Sequence, residues 1–166
     1  MFARSIARTS EAVGRVVDDA YETMLGRPAD ASGRAFWTAR LQSHGRYDQL
    51  LADLGASSEF WSKAGSSNTG FVTRVYDRLL GRTPDAAGLA HWTGRLDAGA
   101  SRGALIRTIA NLDEPLRRLV ASSYDEILAR APVGAEITDG VTHLRRTGDR
   151  SGLDGRPRGK PAGHAA

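Results

Sequence analysis

No cysteine occurs among the 166 residues, which excludes disulfides and thiolate metal sites and leaves the redox compartment open. Long apolar runs are also missing. No stretch approaches the length needed to cross a bilayer, and Met1-Phe2-Ala3-Arg4-Ser5-Ile6-Ala7-Arg8 lacks the apolar run of a signal peptide. Read this way, the protein is soluble and cytoplasmic by sequence. Catalytic signatures are scarce: there is no Gly-x-Ser-x-Gly elbow, no phosphate loop and no His-Glu-x-x-His helix. His44, His91, His143 and His164 show no ligand spacing. The expectation is a protein that is not an enzyme and that holds no cofactor and no metal.

What is present is a repeat. Shifting the sequence by 55 positions without a gap lays Tyr21 on Tyr76, Leu25-Gly26-Arg27 on Leu80-Gly81-Arg82, and Asp30 on Asp85. The same shift pairs Gly33 with Gly88, Trp37-Thr38 with Trp92-Thr93, and Arg40-Leu41 with Arg95-Leu96. A fixed period of this size marks a repeated supersecondary unit.

The motif has a physical reading. Val72, Val75, Tyr76, Leu79 and Leu80 fall on one face of a helix, as do Val17, Ala20, Tyr21, Met24 and Leu25. Gly26 and Gly81 follow the last apolar residue, where a left-handed residue closes a helix. Asp30 and Asp85 then stand where a carboxylate caps the next helix. On that second helix Leu89, Trp92 and Leu96 face inward together, and Trp37 and Leu41 keep two of those positions, so tryptophan reads as the centre of each unit. Gly33 and Gly88 lie inside this helix at a cost of ~1 kcal/mol each against Ala, which points to a close approach by another helix.

In chain order, residues 1–10 read as a mobile lead-in and 11–64 as the first unit. Its helices run from Ser10 or Glu11 to Leu25, from about Ala31 to Ser43, and on through Leu50, Leu51 and Leu54 with Asp48 as cap. Residues 65–70 read as a flexible linker and 71–114 as the second unit, whose third helix carries Leu105, Ile106 and Ile109 behind a Ser101 cap. Each unit closes on an acidic turn, Ser58-Glu59-Phe60-Trp61 and Asp113-Glu114-Pro115-Leu116, with Asp113 as a cap. No linker follows the second unit. The helix runs on instead to about Arg130, with Val120, Tyr124, Ile127 and Leu128 repeating the earlier stripe at a shift of 48. Residues 115–146 are thus a degenerate third unit, with Val133 where Asp should cap and Glu136 where Gly should be, and a helix over Ala135–Arg146. Degenerate end units are expected in stacked arrays.

From 147 to 166 the composition reads as a disordered tail. Arg145, Arg146, Arg150, Arg156, Arg158 and Lys160 against Asp149 and Asp154 account for the whole net charge of +4. A basic tail can bind phosphate backbones, but this one has no aromatic to stack on a base, which argues against nucleic acid as partner. The fold class read from the sequence is all-α: tandem three-helix units, two complete and one degenerate, about seven helices in all.

The string Leu-Gly-Arg-x-Pro-Asp-x-x-Gly-Leu-x-x-Trp, preceded by an aromatic helix and followed by an acidic turn, closely resembles the bacterial domain-of-unknown-function 4214 family. The resemblance covers residues 71–120 well and 16–64 with departures, among them Pro28-Ala29 and Arg34. It implies a helical accessory module of the kind found in tandem in large bacterial surface and exported proteins, S-layer-like and RTX-type among them, and beside enzymes such as glycosyltransferases. It carries over no catalytic residue. The Leu-Gly-Arg helix ending also looks like the helical domain of phycobilisome linker polypeptides, which implies scaffolding. By family resemblance the protein is secreted or at the cell surface.

Each sharper reading has a plainer rival. Asp30 and Asp85 as calcium ligands fall far short of six to eight oxygens, and a helix cap needs the same residue. Arg27, Arg82 and Arg130 stand just past helix ends, where a cation suits the exposed carbonyls; anion recognition is the alternative. Phe36 and His91 occupy matching positions and read as lining or surface rings. Phe60 and Trp61 form the candidate exposed patch. The expected function is a non-catalytic structural or protein-interaction module with an unknown protein partner. The alternative is a binder of glycan or cell-surface polysaccharide, with Trp61 as the stacking ring.

Overall fold

The structure, a computed structural model, describes residues 10–43 and 45–147, in which nine α-helices and no strand are found. The expected lead-in, His44 and the tail from residue 148 lie outside the described residues. Helix α1 spans Ser10–Leu25, α2 Ala31–Gln42, α3 Tyr47–Ala56, α4 Ser58–Lys63 and α5 Asn68–Leu80. Then come α6 Ala86–Asp97, α7 Arg102–Ala110, α8 Asp113–Leu128 and α9 Gly134–Thr147. The count exceeds the roughly seven read from sequence because the acidic turn after α3 is itself the helix α4; α9 falls where a helix over Ala135–Arg146 was expected.

Local chemistry accounts for most boundaries. Helix α1 ends at Gly26 with φ 70° and α5 at Gly81 with φ 63°, both in the left-handed region. Their N–H groups donate to Glu22 O at 2.9 Å and Asp77 O at 3.0 Å, closing the last turns. The Asp30 and Asp85 side chains accept from the Gly33 and Gly88 N–H groups, both at 2.8 Å, and so begin α2 and α6. Ser101 caps α7 by accepting from Ala104 N–H. Helix α4 starts at Ser57, whose hydroxyl accepts from Phe60 N–H at 3.2 Å.

Three expectations are corrected. Asp48 does not cap α3: Arg46 holds that place without a side-chain cap. Asp48 lies in the first turn instead, accepting from Arg46 at 2.9 Å and from Asn111 on α7 at 3.0 Å. Asp113 likewise is the first residue of α8 and pairs with Arg145 of α9, while Leu112 takes the cap position. In both cases a partner outside the first turn outweighs the local cap, and a carboxylate in the first turn still suits the helix N-terminus. The linker is the third. Gly65 N–H donates to Ser62 O at 3.0 Å and Ser66 N–H to Trp61 O at 3.1 Å, a closed helix end with Gly65 at φ 76°. Ser67 then caps α5, and Asn68–Gly70 form its first turn.

The core lies where α3 packs on α7, the most extensive helix pairing among the described residues. Leu50, Leu51 and Leu54 of α3 and Leu105, Ile106 and Ile109 of α7 are buried there. Phe60 of α4 and Phe71 of α5 meet edge to face beside them, ring centres 5.4 Å apart. Tryptophan is therefore not the centre of either half. Trp37 is buried and Trp92 half-buried, but both flank a core whose largest fully enclosed side chains are Phe60, Phe71 and Met24. A second, smaller cluster joins α8 to α9 through Val120, Tyr124, Val141 and Leu144.

The α3–α7 crossing depends on Gly55. A Cβ there would collide with the Ile106 Cδ1 and lie 2.9 Å from Met24 Cε. Gly55→Ala is expected to lower stability by roughly 1–3 kcal/mol through overpacking, measured by urea denaturation. Ile106→Val removes the colliding methyl, so the double variant should lose less than the two single losses summed.

Candidate functional site

The recurring polar residues gather where α1 and α5 end. Arg27 donates from Nε and Nη2 to the Glu59 carboxylate at 2.9 and 2.7 Å, and its guanidinium lies over the Tyr21 ring, 5.5 Å from the centre. Lys63 donates to Glu59 at 3.0 Å and to the Leu25 carbonyl at 2.6 Å, so a cation meets the unpaired end of α1. At the end of α5, Arg82 lies 5.4 Å from the Tyr76 ring centre and faces Glu114 at 3.4 and 3.5 Å, a looser pair. Arg118 stands where Lys63 stood, 2.5 Å from the place a Cβ on Gly81 would take. Hydrogen bonds from Arg27 and Lys63 hold the Glu59 carboxyl down at about 2. Asp30 and Asp85 are held below the usual carboxylate range, Asp30 chiefly by Ser32 and Asp85 chiefly by the Gly88 N–H.

The motif glycines answer to the tyrosines. A Cβ on Gly33 would collide with the Tyr21 hydroxyl, and one on Gly88 would lie 3.0 Å from the Tyr76 hydroxyl. Trp92 Nε1 donates to that same Tyr76 hydroxyl at 3.2 Å. Arg40 lies over Trp37 and Arg95 over Trp92, each 5.7 Å from the ring centre. Arg34, one of the departures from the family string, donates to Asp18 of α1 at 2.8 Å, and its guanidinium fills the space beside Gly14.

The third version uses a different residue. Ala129 takes the left-handed turn at φ 50°, and Arg130 donates to Glu136 at 2.9 and 2.7 Å. Glu136 also accepts from Val133 N–H at 2.9 Å. One glutamate thus caps α9 from its first turn and pairs with the arginine, and Arg130 chiefly holds its carboxyl at about 2. Val133-x-x-Glu136 is half of a capping box, a signal legible in the sequence and passed over there.

Of the four residues expected at a binding surface, the structure brings none into one patch. Phe60 is a correction: it is fully buried, packed on Phe71, because the acidic turn winds into a helix that turns it inward. Trp61 is half-buried, with the Arg102 guanidinium 3.5 Å from its ring centre. Phe36 is 58% exposed and His91 is exposed. Each meets the neighbouring tryptophan edge-on, Phe36 with Trp37 at 5.3 Å and His91 with Trp92 at 4.9 Å. Among the described residues no group of three or more His, Asp or Glu is placed to hold a metal ion, and no helix is long and apolar enough to cross a membrane.

A pocket of about 210 Å³ opens between the α3–α7 core and the α8–α9 pair. Its lining includes the apolar Leu51, Leu79, Leu116 and Leu144 and the polar Asp48, Asn111, Arg78 and Arg118. No motif signalled it, since its residues come from six helices. Burial works against the Asp48 charge, yet Arg46 and Asn111 hold its carboxyl below the usual range.

Comparison with known proteins finds one family. The model described as "Domain of unknown function (DUF4214)" matches residues 51–119, less than half of the chain. The match begins within α3 and ends within α8, so it takes in α4 to α7 whole and leaves α1, α2 and the start of α3, Leu50 included, outside. No curated protein and no solved structure gives a match.

Two expectations follow from this geometry. Gly33→Ala should cost roughly 1–2 kcal/mol, net of the helix propensity gained, and Tyr21→Phe should relieve part of it. Gly88→Ala, with more room, should be near neutral in the same thermal melts. The second concerns pH. Glu59 has a folded value depressed from 4.5 to about 2, so its contribution is full above the unfolded value and is lost as pH falls through the folded one. Glu59→Gln should therefore cost about 1 kcal/mol at neutral pH, allowing for partial exposure, and the gap to wild type should close between pH 4.5 and about 2. A gap that stays constant over that range would contradict the assignment.

Proposed function

We propose that the chain is a non-catalytic helical module with a structural or protein-interaction role. In this reading α1–α3 and α5–α7 are two copies of one three-helix unit, and α8–α9 open an abbreviated third. The observation that carries it is how the recurring polar residues are engaged. Arg27 and Arg82 face glutamates, Asp30 and Asp85 cap helices, and Tyr76 and Trp92 bond to each other. Catalysis needs convergent groups whose hydrogen-bonding capacity is left for a substrate, whereas these residues serve the fold. The family resemblance implies a module of bacterial surface or exported assemblies, a setting in keeping with that role.

Two separate exposed rings support a partner surface, Phe36 on α2 and His91 on α6. Each is exposed yet braced edge-on against a tryptophan, and a ring held still at the surface loses little conformational entropy when a partner covers it. Phe36→Ala with His91→Ala should leave the melting temperature within about 2 °C of wild type and abolish capture of the wild-type protein's partners from native extract. Partners retained in full by the double variant would sink this surface assignment.

A further inference from the structure

The pocket between the α3–α7 core and α8–α9 has a feature that packing alone leaves unanswered. Arg78, on its wall, has its Nε buried without a hydrogen-bond partner, and the nearest paired carboxylate oxygen, on Asp77, is 3.6 Å away, beyond bonding distance. A buried donor left unmade is costly, and an anionic oxygen is the partner that relieves it best. Arg118 lines the same pocket from α8, and no carboxylate lies within 4 Å of it among the described residues. The acidic group in the wall, Asp48, already accepts from Arg46 and Asn111, so its charge is met within the protein. Arg78 has Asp77 as its ion-pair partner at 3.6 Å, so Arg118 is the lining cation that no carboxylate meets among the described residues.

Most of the remaining lining is apolar, and the volume of about 210 Å³ exceeds that of an engineered cavity of about 150 Å³ able to hold benzene. We infer that this pocket binds a small amphipathic anion, with an apolar body of about six carbons on Leu51, Leu79 and Leu116 and a carboxylate or phosphate head between Arg78 and Arg118. Ser122, also in the lining, supplies a hydroxyl donor of the kind such a head accepts. The site is independent of the partner surface proposed above, since Phe36 and His91 take no part in it.

The test is heteronuclear NMR titration of the full chain with hexanoate, 1-hexanol and acetate. Hexanoate should shift the amides of Leu79, Asn111 and Ser122 saturably. Hexanol, which keeps the body and lacks the charge, and acetate, which keeps the charge and lacks the body, should each bind at least tenfold more weakly. Arg78→Gln with Arg118→Gln should weaken hexanoate at least tenfold and leave hexanol unchanged. Hexanol binding as tightly as hexanoate, shifts at amides away from the pocket, or a folded double variant that binds hexanoate like wild type would each overturn the inference. If the double variant fails to fold, the wild-type ratio of hexanoate to hexanol decides alone.

Discussion

The crossing of α3 and α7 is the constraint on which the rest of the molecule depends. These helices lie 46 positions or more apart in the chain, and their approach is closed by a glycine that admits an isoleucine side chain. Interiors are packed to crystal-like density, so the contact holds in one arrangement and does not slide. Around it α1 and α5 lay down their apolar stripes, and α2 and α6 are held outside those by tyrosine and tryptophan. The family match takes in Leu51, Leu54 and Gly55 of α3 together with the whole of α7.

The second recurring device is the clasp at a helix end. A left-handed residue turns the chain, an arginine covers the preceding tyrosine, and a carboxylate from a later helix takes the arginine's hydrogen bonds. The clasp is tight at Arg27, loose at Arg82, and rebuilt at Arg130 with Glu136 doing the work of both acids. Alanine rather than glycine takes the left-handed turn at position 129, where a Cβ is strained. What persists across the three places is an interaction, while the residues that make it change. That is why the third version looked degenerate in the sequence and is nonetheless a formed helix end.

The change of shift from 55 to 48 has a simple helical meaning. The difference is seven residues, two helical turns to within about 20°. Removing the seven residues 64–70 would join a helix such as α4 to the next one without rotating its apolar face. Helix α8 is that fused element, and Val120 and Tyr124 stay buried as Val72 and Tyr76 do.

Much of this was legible from residue order, because it rests on contacts within one or two turns. The bounds of α1, the glycine turns, the Asp30, Asp85 and Ser101 caps and the long run of α8 all follow from spacing and from the few residue types that suit a helix end. The sites of Asp48, Asp113 and Trp61 did not follow, because each is settled by a partner far along the chain, Asn111, Arg145 and Arg102, and that of Phe60 did not because its turn winds into a helix. The pocket belongs to the same class, since no local pattern brings Arg78 and Arg118 to one wall. Sequence alone determined most of the helical segments and the glycine turns and Asp or Ser caps that bound them, for those are short-range hydrogen-bonding questions; α4 and the starts of α3, α5, α8 and α9 were not among them. Only the tertiary structure decided which faces meet, which aromatic rings stay at the surface and where a cavity is left, since those depend on side-chain volumes summed over helices distant in the chain.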